Sequence, residues 1–136
     1  MPAPTGAHVY KNAIVTIDAT EYANQLTRAE LVPDQPVQTL RTLVPDGTVQ
    51  DVDTPTWTFA ISGLQINIAG GLAKALRDAS GTEIEVTLQP KAGSAQATAT
   101  FTIVAMTPGF GGSQGEWLQQ ELEMPVIGEP VWGTSV

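Results

Sequence analysis

Glu83-Ile84-Glu85-Val86-Thr87-Leu88-Gln89, a turn from Pro90 to Ser94, and then Ala95-Gln96-Ala97-Thr98-Ala99-Thr100-Phe101-Thr102-Ile103-Val104-Ala105 decide the fold class. In the first run Ile84, Val86 and Leu88 alternate with Glu83, Glu85, Thr87 and Gln89. In the second, Ala95, Ala97, Ala99, Phe101, Ile103 and Ala105 alternate with Gln96, Thr98, Thr100 and Thr102. A period of two sends alternate residues to opposite faces of a strand, so both runs predict a sheet with one dry side and one wet side. The second run is about twice the usual strand length and at ~3.3 Å per residue would span roughly 40 Å. Either part of it projects beyond the body, or it bends or bulges.

Upstream, Gly70-Gly71 precedes Leu72, Ala75, Leu76 and Ala79, the i, i+3, i+4, i+7 stripe of an amphipathic helix over about 71–80. Lys74, Arg77 and Asp78 lie off the stripe, and Gly81 supplies the stop. So short a helix must dock on a sheet to persist. Before it, Trp57, Phe59 and Ile61 alternate with Thr56, Thr58 and Ala60. Further back come a long loop over 45–56, a strand over 37–44 set off by Pro33 and Pro36, and a predicted hairpin over 13–32. An unpatterned arm, 1–11, precedes them. Downstream, a glycine-rich loop (108–115) leads to a strand with Leu118, Leu122 and Met124 on one side and Gln119, Glu121 and Glu123 on the other. A proline-bearing arm, 125–136, closes the chain. The expectation is one domain over 1–136, mainly β (α+β): a β-sandwich or barrel of about seven strands, body 12–124, with one flanking helix.

Composition narrows the function. The chain has 136 residues, no cysteine and a net charge of −8. A disulfide framework, a thiolate metal site and a cysteine nucleophile are thereby excluded. The six cations, Lys11, Arg28, Arg41, Lys74, Arg77 and Lys91, form no run that could neutralise a phosphate backbone. Met1 to His8 lacks the cationic start and apolar core of a secretory signal, and no stretch approaches the ~20 apolar residues of a membrane span. The expectation is a soluble protein without a membrane anchor that begins at its own initiator methionine.

Little points to catalysis. The single histidine, His8, sits in the opening arm, where nothing fixes it for a triad. Asp46, Asp51 and Asp53 suggest calcium, but Gly47-Thr48-Val49-Gln50 interrupts them and no closing glutamate follows. Gly109, Gly111, Gly112 and Gly115 lack the spacing of a phosphate cradle and precede a strand. Glu83/Glu85 and Glu121/Glu123 pair along strands, the usual mark of a solvated face. No enzyme activity, cofactor or metal is expected. Apolar residues make up 42% of the chain and charged ones 15%, below the ~25% usual for soluble domains. That balance suits a chain that buries surface against copies of itself.

Three groups of residues carry a resemblance. They are Ala13-Ile14-Val15-Thr16-Ile17 with Glu21-Tyr22-Ala23-Asn24-Gln25-Leu26; Asp46-Gly47 through Pro55-Thr56-Trp57-Thr58 with Gly70-Gly71-Leu72 and Ser80-Gly81-Thr82-Glu83-Ile84; and Gly112 to Glu116 with Glu121 through Pro130. In this order and spacing the chain resembles the tail tube proteins, or major tail proteins, of phages with long non-contractile tails, relatives of secretion-system tubes. Asp18-Ala19, where such hairpins often place Asn-Gly, and Gln65-Ile66-Asn67, more apolar than the family's pattern there, depart from it.

The resemblance implies the phage tail tube fold, six-membered rings and stacking into a hollow tube. DNA would pass through the bore without specific binding. It implies a virion location in the tail, assembly in the host cytoplasm, and tape measure, terminator and tip proteins as partners. Under it Glu83, Glu85, Glu121 and Glu123 are expected to line the lumen, and Asp46, Gly47, Asp51, Asp53, Phe110 and Trp132 to lie at contacts between rings. The alternative is a β-sandwich binding module for carbohydrate or protein. It would cluster its aromatics, whereas the eight here are spread along the chain (three Trp, two Tyr, three Phe).

Overall fold

The protein is described by a computed structural model covering residues 9–135; His8 and most of the opening arm lie outside the described residues. The elements run β1 (Ile14–Ile17), β2 (Thr20–Glu21), a 3-10 turn (Ala23–Gln25), β3 (Leu26–Asp34), β4 (Val37–Arg41), β5 (Thr48–Val52) and β6 (Thr56–Leu64). They continue with α1 (Leu72–Asp78), β7 (Glu83–Gln89), β8 (Ala97–Val104) and β9 (Gln119–Thr134). Seven strands form one antiparallel sheet in the order β2-β1-β7-β8-β9-β6-β3, while β4 and β5 pair only with each other. The protein is therefore mainly β, with one helix flanking a folded sheet.

The fold turns on β9. Its first half, Gln119 to Pro125, pairs with β6, and its second half, Val126 to Thr134, pairs with β8. Between them the β8 register slips from Thr102↔Ile127 to Thr100↔Val131, and Gly128 takes φ 73, a conformation open to glycine. The sheet folds over along this line and its halves face one another. Phe59 of β6 and Phe101 of β8 meet edge-on, with ring centroids 5.0 Å apart. Around them Val15, Ile17, Ile61, Val86, Ile103 and Met124 fill a core that the alternation had assigned to the dry face.

The helix closes one end of this sandwich. Leu72, Ala73 and Leu76 are buried, and Leu72 and Leu76 share the core with Ile17 and Tyr22. No side chain of its own caps α1. Gln25, from the turn before β3, does so at long range: its Oε1 accepts from Leu72 N (2.8 Å) and its Nε2 donates to Gly70 O (3.0 Å). At the far end of the β3–β6 ladder the β4–β5 hairpin continues outward, with every residue of both strands exposed. Its strands amount to about 16 Å at ~3.3 Å per residue.

Four expectations require correction. The segment 45–56 is not a long loop: Thr48–Val52 is β5, and only 42–47 turns. It escapes detection because a free-standing hairpin has no dry face to impose a period. The closing arm 125–136 is mostly the second half of β9, which tolerates Pro125, Gly128 and Pro130 at its change of partner and bulge. The hairpin over 13–32 stops at β2, since β3 pairs with β6. The run over 95–105 gives only Ala97–Val104, with Ala95 at φ 56 still in the turn before it, so the longest strand is β9 instead.

Candidate functional site

The two ends of the sandwich differ in kind. At the hairpin end, Val37, Leu40, Leu43, Val44, Val49 and Val52 are all more than half exposed. The tip is closed by Thr42 N to Gly47 O (2.7 Å) and Gly47 N to Val44 O (2.9 Å). A Cβ on Gly47 would collide with Thr42 Oγ1 and Val44 O, and Asp46 beside it sits at φ 65. Asp51 and Asp53 do not converge on a cation: each carboxylate accepts the next residue's amide, at 2.8 Å from Val52 and from Thr54. No cluster of three metal-ligating side chains occurs among the described residues. The hairpin carries all four predicted residues but separates them: Asp46 and Gly47 form the tip, while Asp51 stands opposite Gln38 and Asp53 N donates to Pro36 O at the base.

Phe110 lies at the opposite, helix-closed end. There the buried Gln65 organises the glycine loop. Its backbone N donates to Leu118 O (2.8 Å), its Nε2 donates to Gln119 O (3.1 Å), and its Oε1 accepts from Gly111 N (2.9 Å) and Asn67 Nδ2 (3.1 Å). Asn67 Oδ1 in turn accepts from Arg77 Nη2 (3.2 Å), and the guanidinium stands 5.3 Å from the Phe110 ring centroid. The loop is thus pinned although six of its residues, from Gly111 to Glu116, are exposed. Phe110 is 78% and Trp117 81% exposed, with Ile68 close behind. Sequence reasoning missed Gln65 and Trp117. Gln65 looked like a departure from a pattern, and Trp117 sat outside any periodic run.

Trp132 belongs to the hairpin end. It is 64% exposed and meets Trp57 edge-on at 5.6 Å, so it packs partly on its own subunit. With Tyr10, Leu31, Leu88, Pro90 and Ala99 it lines an open cleft of about 270 Å³ between the sheet halves, which no helix covers. The Tyr10 hydroxyl donates to Ala29 O (2.8 Å). Burial pushes this phenol above its usual value, and the Glu30 carboxylate adds to the shift.

Glu83, Glu85, Glu121 and Glu123 all point to solvent on the wet face of the sheet, in two separate groups. Glu83 and Glu85 share the outward side of β1, β7 and β8 with Thr16, Thr87, Thr100 and Thr102, and none of the described strand residues on that side is a Lys or Arg. Glu121 and Glu123 lie on the other half, where Arg28 reaches Glu30 (3.1 Å) and approaches Glu121 (3.9 Å). Both contacts are exposed, so they contribute little to stability.

Among the described residues, no helix is long and apolar enough to cross a membrane. A scan against known protein families finds no match for this chain, and a search of curated proteins finds none either.

Proposed function

We propose that the chain is a structural protein that assembles into rings stacked as a hollow tube, as the tail tube protein of a long non-contractile phage tail does. One observation carries the reading. A single subunit presents uncovered apolar surface at two opposite ends, Leu43 and Val44 on a protruding hairpin and Phe110 and Trp117 on a pinned loop. Exposed apolar patches of this kind mark contact surfaces. A head-to-tail contact between different patches repeats without closing and yields a filament. The sheet also ends on β2 at one edge and β3 at the other, and lateral pairing of such edges would close a ring.

Within this reading, charge favours one face for the lumen. The cation-free face of β1, β7 and β8 suits a DNA-repelling wall, with Glu83 and Glu85 on it; Glu121, beside Arg28, suits it less. Virion location, six-fold rings, and tape measure, terminator and tip partners belong to the same proposal. The test is negative-stain electron microscopy of the purified protein with sedimentation in parallel. Rings or hollow tubes are expected; a persistent monomer at high concentration would sink the reading. In tubes of the Glu83→Lys/Glu85→Lys variant, duplex DNA should bind at low salt, and tubes of the parent protein should not bind it.

A second reading, a binding module, gains one observation: Tyr10, Trp57 and Trp132 gather at the open end. The cleft lining is almost wholly apolar, with Glu30 and Thr98 its polar exceptions, which suits a protein side chain better than a sugar. Binding of an apolar peptide side chain in this cleft by a monomer that never polymerises would favour it.

A further inference from the structure

Trp117 has no aromatic or cationic partner among the described residues, unlike Phe110, which lies under Arg77. It stands beside the exposed Glu116, just ahead of Leu118, whose carbonyl binds Gln65 past the last residue of β6. The cleft's β3 lining, Ala29 to Leu31, pairs with Ile61 to Phe59 of the same strand, and its Trp132 reaches Trp57 near the strand's start. Knob and cleft are separated by roughly 13–20 Å along β6 at ~3.3 Å per residue. The cleft, about 270 Å³, falls just below the ~300–1,000 Å³ of small-molecule pockets, a size for one large side chain.

Charge is arranged to match. The subunit carries −8 with only six cations, yet two of them adjoin residues of this cleft in sequence, and its one charged lining residue, Glu30, is already paired with Arg28. Lys11 follows the lining residue Tyr10, and Lys91 follows the lining residue Pro90. Ala92 N donating to Asn12 O (2.8 Å) ties the two segments together. Neither lysine, nor Glu116, makes an ion pair among the described residues.

We propose that Trp117 of one copy seats in the Trp132 cleft of the next copy along the stack, with Glu116 facing Lys11 and Lys91. The inference rests on the tube reading and supplies its axial contact. Because knob and cleft sit at opposite ends, each added copy presents a fresh one of each, which is the condition for open-ended growth. A tryptophan entering a desolvated pocket ringed by charged residues has the make-up of an interface hot spot.

Two measurements test it. In sedimentation, Trp117→Ala should raise the critical concentration for tube formation by roughly tenfold or more, and Trp117→Phe should restore part of it. Glu116→Lys should raise it too, and adding Lys91→Glu should bring it back, a rescue that a merely misfolded loop would not show. The chain has no cysteine, so Glu116→Cys with Lys91→Cys in one chain leaves both tryptophans in place. A short thiol crosslinker should then give a ladder of linked copies from assembled material. Tubes that form with no ladder and no rescue would overturn the cleft contact while leaving the tube reading intact. Absence of any ring or tube from the parent protein would overturn both.

Discussion

The helix-closed end and the open end of this sandwich handle the same problem in opposite ways. At the closed end α1 buries Leu72 and Leu76 over the core, and Gln25 and Gln65 satisfy the backbone groups that turns and helix starts leave bare. At the open end no element among the described residues covers the cleft beside Trp132, and a hairpin bearing Leu43 and Val44 extends into solvent. The contrast locates the subunit's buried stability at one end, where only the pinned loop with Phe110 and Trp117 stays exposed, and an uncovered cleft at the other. A fold with both ends plugged would have nothing to offer a neighbour.

The largest effect expected from this contrast is at the closed end. Leu76 is 1% exposed, and Leu76→Ala should cost about 2–5 kcal/mol in urea unfolding, the range for deleting a buried leucine side chain. A loss under about 1 kcal/mol would mean that α1 is dispensable and the contrast misplaced. Next comes Gln65→Ala. It removes the partner of Gly111 N and of the Gln119 carbonyl, and because both residues are exposed and water can take its place, the cost should be about 0.5–1.5 kcal/mol. Amide exchange should quicken over residues 108–118, with the Trp132 end unchanged. Uniform quickening over both ends would show that Gln65 supports the whole body and not its loop.

One residue spoils the closed end. Gln120 is 6% exposed, and neither polar atom of its side chain has a partner among the described residues. Gln120→Leu keeps the shape while removing groups that lost water without gaining a bond. It should raise stability by about 1 kcal/mol, read as a higher urea midpoint at unchanged slope. A lower midpoint would show that the amide is satisfied in solution.

How much of this was legible in the sequence follows from which side chains face the core. Val86, Leu88, Ala99, Phe101 and Ile103 each repeat every second residue because one sheet face is dry, and they read correctly. The helix stripe read correctly too, with Gly81 at φ 85 past its end. Thr48 to Val52 did not, because a hairpin wet on both sides carries no period. Pro125 to Thr134 did not, because Pro125, Gly128 and Pro130 signal a break that the bulge in β9 absorbs. At the candidate site, local sequence marked Asp46, Gly47, Phe110 and Trp132 as unusual. It could not pair Trp132 with Trp57, which lies 75 positions earlier, or bind Gln65 to Gly111. Those contacts exist only once the sheet folds along β9.

The smallest effect on stability should accompany a large effect on association. Leu43 and Val44 form the hairpin tip, bury almost nothing in the subunit and touch no part of the core. Leu43→Ser with Val44→Ser should therefore shift the unfolding free energy by no more than about 0.5 kcal/mol, the usual bound for surface changes. Even a small gain is reasonable, since the unfolded chain and the folded subunit expose these side chains alike. If the tip is a contact surface, the same pair of changes should abolish filaments at concentrations where the parent protein forms them, with the circular dichroism spectrum and melting temperature unmoved. Loss of stability together with assembly would place the tip inside the subunit's own architecture. Full assembly by the double variant would assign the axial contact to the cleft and Trp117 alone.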